Sequence, residues 1–397
     1  MARRHVRHGA AHRTGRGRLA VTAPAAFLTP DRAWAEVTRG LAADPRARAV
    51  LTDECAAQRR TPLRSVTDKP VPAASGSRHD YVSIAPYWWP DPSRPGGLPW
   101  VRRDGEVNPA YHDYDNARLD AMSQAVASSI VAHRVTGDDQ HAEFAGRYLR
   151  HWFLDPATRM NPNLVHAQAI AGVTDGRGIG IIDTAGLVHL LDAVCHLPLG
   201  PHWSAADLDG LRQWCSDYLD WLLTSEHGRA EGAEANNHGT WFDAQVVAYA
   251  TFTGRADVAE RQLERRTVGR LETQIAADGG MPHELRRTLS LTYSAFNLLG
   301  FLCLASLAQH VGVDLWRHGD ALRRAAGHLV PFLVGEREWT HPQIVPFDRY
   351  VVAPLLTLVP EHDALAAAHA EWPHHRLIFS HVRIASRSGL VPGPGGS

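Results

Sequence analysis

Three stretches of the sequence concentrate side chains that can hold an anion or move a proton. In "EANNHGTWFDAQ", residues 234–245, Asn236, Asn237 and His238 stand directly before a helical pattern. One capping side chain is enough for a helix starting near Trp241; Thr240 or Asn237 can supply it, and Asp243 suits the positive end of the dipole. The polar groups left over lie where free backbone N–H groups favour negative charge. There they can hold a carboxylate and make it behave as if neutral. The competing account is an elaborate cap with a buried histidine.

In "GGMPHELRRTLSLTYSAFNLLGF", residues 279–301, Tyr293 occupies the first turns of a long apolar helix, with Asn297 and Gly300 on the same face at i+4 and i+7. A tyrosine there is ordinarily core, its hydroxyl bonded to some partner. Arg286 and Arg287 just upstream change that expectation, because guanidiniums meet anions and depress a neighbouring phenol's pKa. Glu284 is available to pair with one of them. In "HDYVSIAPYWWPDPSRPGG", residues 79–97, Tyr87, Trp88 and Trp89 offer flat faces that suit the C–H surfaces of sugar rings, or else pin the loop to the body of the protein.

The elements that must position these residues are helices. Asp31 can cap a first helical pattern, and an irregular stretch rich in Pro, Gly, Tyr and Trp follows from Thr67 to about Asp115. Helical segments then succeed one another from "NARLDAMSQAVASSIVAHRVTG" to "GDALRRAAGHLVPFLVG", several closed by Gly, with no alternating run of strand length between them. A bundle, a solenoid or a toroid of helical hairpins would fit, although the lack of a fixed repeat counts against a regular solenoid. The expected organisation is one domain over residues 31–385 between a disordered arm, 1–30, and a disordered tail, 386–397.

Composition removes several function classes. The 397 residues carry a formal net charge of -1 with Lys69 as the only lysine, which is not the basic footprint of a nucleic-acid binder. Cys55, Cys195, Cys215 and Cys303 are far apart and read as buried thiols, and the 24 histidines show no metal-ligand spacing. No metal and no cofactor is expected. The basic amino terminus lacks an apolar run of signal length and no later segment reads as membrane-spanning, so no membrane partner is expected. As written the chain reads as cytoplasmic, and as exported if its true start supplies a leader. Its oligomeric state is open.

Together, "SGSRHDYVSIAPYWWPDP", "RDGEVNP", "WFLDPATRMNPNL", "NNHGTWFDAQ" and "HELRRTLSLTYSAFNL" resemble the alginate lyase domain family, which includes polysaccharide lyase family 5 and the related family 38 enzymes acting on alginate or glucuronan. The resemblance runs in order from about Ser65 to Ile344. It implies an all-α fold, an incomplete (α/α) toroid, and cleavage of an anionic uronate polysaccharide by β-elimination. The family's asparagine–histidine pair falls on Asn237 and His238, its arginine on Arg287 with Arg286 as neighbour, and its tyrosine on Tyr293. Substrate contacts are expected at Asn236, Trp241, Arg286, Tyr87, Trp88 and Trp89 and, through "SGSRHDY", at Arg78 and His79. Leu289 departs from the family by standing where a second arginine often does.

The implied chemistry fits these side chains. The C5 proton of a uronate is weakly acidic, because its removal places a second negative charge beside a carboxylate, so neutralising that carboxylate comes first. Asn237, His238 and Arg287 are the candidates. In β-mannuronate and β-glucuronate C5–H and O4 lie on one side of the ring, so Tyr293 can serve as base and then as acid. Bringing a phenol from about 10 to about 7.5 needs about 3.4 kcal/mol of differential stabilisation. His238 as base, with Tyr293 only as acid, is the competing assignment. A hydrolase acting on unsaturated uronides, using Asp115, Asp243 or Asp278, and a non-catalytic uronate-binding protein are the other readings.

Overall fold

The structure, a computed structural model, describes residues 28–347 except Pro30 and Val334; the expected tail and most of the expected arm lie outside these residues. Its helices are α1 (Asp31–Ala43), α2 (Pro45–Arg60), α3 (Asp115–Thr136), α4 (Asp139–Leu149), α5 (Leu187–Val194), α6 (Ala205–Thr224), α7 (Glu226–Ala233), α8 (Asn237–Phe252), α9 (Ala256–Gln262), α10 (Val268–Gln274), α11 (Pro282–Leu285), α12 (Ser290–Ala308) and α13 (Ala321–Leu333).

Two kinds of helix follow from the sequence pattern. Every residue of α12 except Ser306 is buried, and in α8 only His238 and Thr251 are partly exposed. Helices so uniformly apolar or small must be enclosed on all sides. By contrast α2 buries only the stripe Ala47, Leu51 and Cys55, and α6 the stripe from Leu208 through Leu211, Cys215 and Leu219 to Leu222, as outer helices do. The inner helices pack in the order α3, α5, α8, α12, with α4 against α3, α9 and α6 against α8, and α13 against α12. Tight reversals at Gly137 (φ 71°) and Gly254 (φ 75°) connect α3 to α4 and α8 to α9, a backbone conformation that glycine adopts without steric penalty. The result is an incomplete (α/α) toroid.

Some expectations needed correction. Leu28, placed in the disordered arm, is buried and its N–H donates to Asp192 Oδ1 at 2.9 Å. The irregular stretch contains β1 (Val82–Ile84), β2 (Trp88–Trp89) and β3 (Val101–Arg102), with β4 (His166–Ala169) later in the chain. β1 pairs parallel with β4, and β2 antiparallel with β3. Ladders of two to four residues are too short to leave an alternating signature. The segment Ser290–Val311 is apolar and long enough to span a membrane, contrary to the sequence reading, yet 94% of its most apolar window is buried in the protein. The four cysteines are buried and form no disulfide among the described residues.

One buried hydrophobic cluster runs from Leu28 and α1 through to α13. Lys69, with its side chain 5% exposed, meets Asp115 Oδ2 at 3.1 Å and so fixes the irregular segment to the first turn of α3.

Candidate active site

The amino-terminal ends of three inner helices open on one cleft of ≈ 240 Å³. Asn116 and Asp120 come from α3, Asn236, Asn237 and His238 from the start of α8, and Tyr293 and Phe296 from α12; Ile182 and Asp183, just ahead of α5, complete the ring. Converging helix amino termini give the cleft a positive background that suits an anion.

Asn236, not Thr240 or Asn237, caps α8: its Oδ1 accepts from His238 N–H at 3.1 Å, and the helix starts at Asn237. Asn237 is buried and tied to α11, its backbone N–H and Nδ2 donating to the two Glu284 oxygens at 2.7 and 2.9 Å. Glu284 is therefore the carboxylate that orients Asn237, and not an arginine's partner as expected. His238 Nδ1 lies 2.9 Å from Glu231 Oε1 of α7, whose side chain is fully buried. Burial opposes a charge on this imidazole, but Glu231, with Glu234 and Glu284 nearby, prevails and raises its pKa. Asp243 is not a first-turn carboxylate. It lies deeper in α8, where it accepts from Arg270 Nε at 2.9 Å, and Arg270 also holds the carbonyls of Gly232 and Glu234 ahead of the helix.

Tyr293 lies between two partners. The Arg287 guanidinium stacks 3.9 Å from its ring centre, and its hydroxyl is 2.5 Å from that of Tyr87. Arg287 is held by Asp104, Nη2 to Oδ1 at 3.1 Å, and Asp104 also takes Arg102 at 2.6 Å. Burial raises the Tyr293 pKa more than Arg287 and the Tyr87 hydrogen bond lower it, so the phenol starts above its ordinary value and is not already depressed as expected. Leu289, the departure from the family pattern, packs with Tyr87 and Tyr293 in a small apolar cluster.

The expected substrate contacts divide. Tyr87, Trp88, Asn236 and Arg287 line the cleft. Trp241 does not: it is fully buried, stacks on Phe296 with ring centres 4.9 Å apart, and donates Nε1–H to the Phe296 carbonyl at 3.1 Å. It joins α8 to α12. Trp89 donates to the Glu106 carbonyl at 2.9 Å and meets Arg103, Arg78 donates to the Lys69 carbonyl at 2.5 Å, and His79 Nδ1 lies 2.7 Å from the Arg159 carbonyl. These three shape the loop outside the cleft, and Arg286 is exposed and does not line it. Sequence reasoning missed Asp104, Asn116, Asp120, Gln168, Arg177, Asp183, Glu231 and Glu234. Asp104 and Glu234 lie inside the quoted stretches "RDGEVNP" and "EANNHGTWFDAQ" without having been singled out, and the other six are ordinary polar residues with no motif of their own. The signal that was available for Glu231 and Glu284 was the need for a carboxylate behind each polar group at the start of α8. Among the described residues no group of three or more His, Cys, Asp or Glu is placed to hold a metal ion.

Residues 65–339 match the family model described as Alginate lyase. An alginate lyase from Cobetia marina is 31% identical over 134 residues, 34% of each chain, so the match spans about a third of that relative's length. The crystal structure of an alginate lyase from Bacteroides ovatus superposes with a TM-score of 0.82 at 32% identity, covering 90% of this chain and 98% of that one. A variant of alginate lyase A1-III complexed with tetrasaccharide shares the fold, with a TM-score of 0.52 at 16% identity over 85% of this chain and 87% of that one.

Proposed function

Because the chain belongs to the alginate lyase family, we propose that it is a polysaccharide lyase that cleaves a β-1,4-linked uronic acid polymer, alginate or glucuronan, by β-elimination. One observation carries the reading: Asn237, His238, Arg287 and Tyr293 line a single cleft at the positive ends of inner helices. Asn237 and a protonated His238 hold the uronate carboxylate, with Arg287 beside them, so that the charge developing on C5 is met by donors already in place. Tyr293 takes the C5 proton as phenolate and returns it to O4 as phenol, the C5–H and C4–O4 bonds breaking as C4=C5 forms.

A phenol above its ordinary pKa is seldom ionised at neutral pH, but the phenolate that forms is the stronger base, which offsets part of that penalty. Tyr87, 2.5 Å away, is placed to donate to this phenolate. His238, holding a proton through Glu231, is suited to neutralise a carboxylate rather than to act as base. Of the carboxylic acids considered for a hydrolase, Asp115, Asp243 and Asp278, none lines the cleft, and Asp243 is fully committed to Arg270, Gln262 and Thr267.

The test is absorbance in the near ultraviolet on mixing with polymannuronate or glucuronan. An unsaturated product is expected, and Tyr293→Phe should lower its rate by roughly 10³-fold or more. No unsaturated product from any uronate polymer overturns the proposal, and reducing ends appearing without the chromophore favour a hydrolase.

A further inference from the structure

Part of the cleft wall has no role in the elimination proposed above. Asn116 and Asp120, one turn apart on α3, face it together with Asp183, Tyr111 and Gln168. In the inner ring α5 stands between α3 and α8, so this wall is separate from the one that carries His238. Asp183 is fully engaged, accepting from Ser83 Oγ at 2.5 Å, Gln168 Nε2 at 2.9 Å and the Tyr81 hydroxyl at 3.2 Å. Asp120 differs: among the described residues no hydrogen-bond donor meets its carboxyl. Beside it Asn116, 4% exposed, has a buried Oδ1 without a partner. Asp120 is partly exposed to the cleft, whereas a buried acceptor such as Asn116 Oδ1, left unsatisfied in a cleft wall, destabilises a protein unless something outside it supplies the donor.

The geometry points to Asp120, with Asn116, as the specificity-determining contact for the vicinal C2 and C3 hydroxyls of the sugar bound in the cleft. This rests on the uronate reading above. A diol offers two donors, and a carboxyl with a neighbouring amide oxygen offers matching acceptors. The same wall is a poor place for the substrate's own carboxylate, because Asp183 already brings negative charge beside Asp120. The ring is thereby oriented with its carboxylate towards Asn237, His238 and Arg287 and its hydroxyl edge towards α3. Burial, and then Asp183, hold the Asp120 carboxyl well above the usual range, and burial pushes Asp183 up to about 6. The wall therefore accepts hydroxyls while carrying less charge than two ordinary carboxylates would.

A cycle between protein and ligand tests this. Tyr293→Phe protein is titrated calorimetrically with a mannuronate or glucuronate tetrasaccharide and with its 2,3-di-O-methyl counterpart, with and without Asp120→Ala. Asp120→Ala should weaken binding of the native sugar by roughly 10–100-fold and leave the methylated sugar unaffected. Equal binding of the native sugar by both proteins, or a loss of the same factor with both sugars, overturns the inference. Asp120→Asn should melt at or above the wild-type temperature, since it removes a group repelled by Asp183; a lower melting temperature alongside lost binding would make Asp120 structural and overturn it as well. If wild type cleaves uronate polymers and Asp120→Ala binds the native sugar undiminished, this inference alone fails. If the parent binds no uronate oligosaccharide and wild type yields no unsaturated product, both fail.

Discussion

Glu231 and His238 carry the clearest single-residue consequence. A group with a raised folded pKa contributes stability that is fully present below its unfolded value, about 6.5 for histidine, and lost as pH rises through the folded value. The stability gap between wild type and Glu231→Gln should therefore be widest near pH 6 and narrow as His238 deprotonates, measured by urea denaturation across pH. NMR titration should find the His238 pKa lowered in the variant, where burial acts without its counterion. Activity carries the same signature. If Tyr293 must be phenolate and His238 imidazolium, kcat/KM climbs through neutrality and levels where His238 loses its proton, and Glu231→Gln moves that levelling point to lower pH. A profile levelling at the same pH in both proteins would contradict the assignment. Asn237, His238, Arg287 and Tyr293 were legible because each sits in a motif at a helix entrance. Trp241, Trp89, Arg78 and His79 were misread because the sequence gives residue type and not direction, and all four turn towards backbone carbonyls away from the cleft.

At the level of elements, the geometry of the cleft depends on how α8 and α12 are held together. Gln274 of α10 accepts from Thr240 of α8 at 3.1 Å and from Asn297 of α12 at 3.0 Å, while Trp241 is bonded to the Phe296 carbonyl. Gly300 permits the approach: a Cβ there would lie 3.0 Å from Thr240 Cγ2 and 3.3 Å from the Trp241 ring. Gly300→Leu should force the helices apart, destabilising the protein by about 1–3 kcal/mol and lowering kcat more than it raises KM, because Tyr293 and His238 lie on opposite sides of that seam. Unchanged kinetics would show the seam does not position the site. Arg270, 10% exposed and paired with fully buried Asp243, fastens the turn ahead of α8. Arg270→Met should cost about 3–5 kcal/mol by leaving Asp243 buried and unpaired, as urea denaturation would measure. The long helices were legible from their patterns. The short α7 and α11 were not, since eight and four residues leave little periodicity, yet these two carry Glu231 and Glu284.

For the molecule as a whole, one continuous apolar cluster from α1 to α13 leads us to expect a single cooperative unfolding transition in calorimetry, with equal calorimetric and van't Hoff enthalpies. Two transitions would divide the domain. A uronate tetrasaccharide should raise the melting temperature of Tyr293→Phe, by a similar increment for each tenfold rise in ligand concentration above its Kd, because it binds only the folded cleft. The sequence by itself determined the helical class, the uniformly apolar character of α12, and the clustering of amide, imidazole, guanidinium and phenol near two helix starts, because periodicity and local motifs are properties of neighbours along the chain. Only the tertiary structure decided that the amino termini of α3, α8 and α12 meet at one cleft, and that Asp104, Glu231 and Glu284 stand behind the site. The same holds for Asp120, which faces the cleft with no hydrogen-bond donor on it among the described residues. Those are relations between residues tens to hundreds of positions apart, set by which inner helices pack side by side, and no spacing in the sequence encodes them.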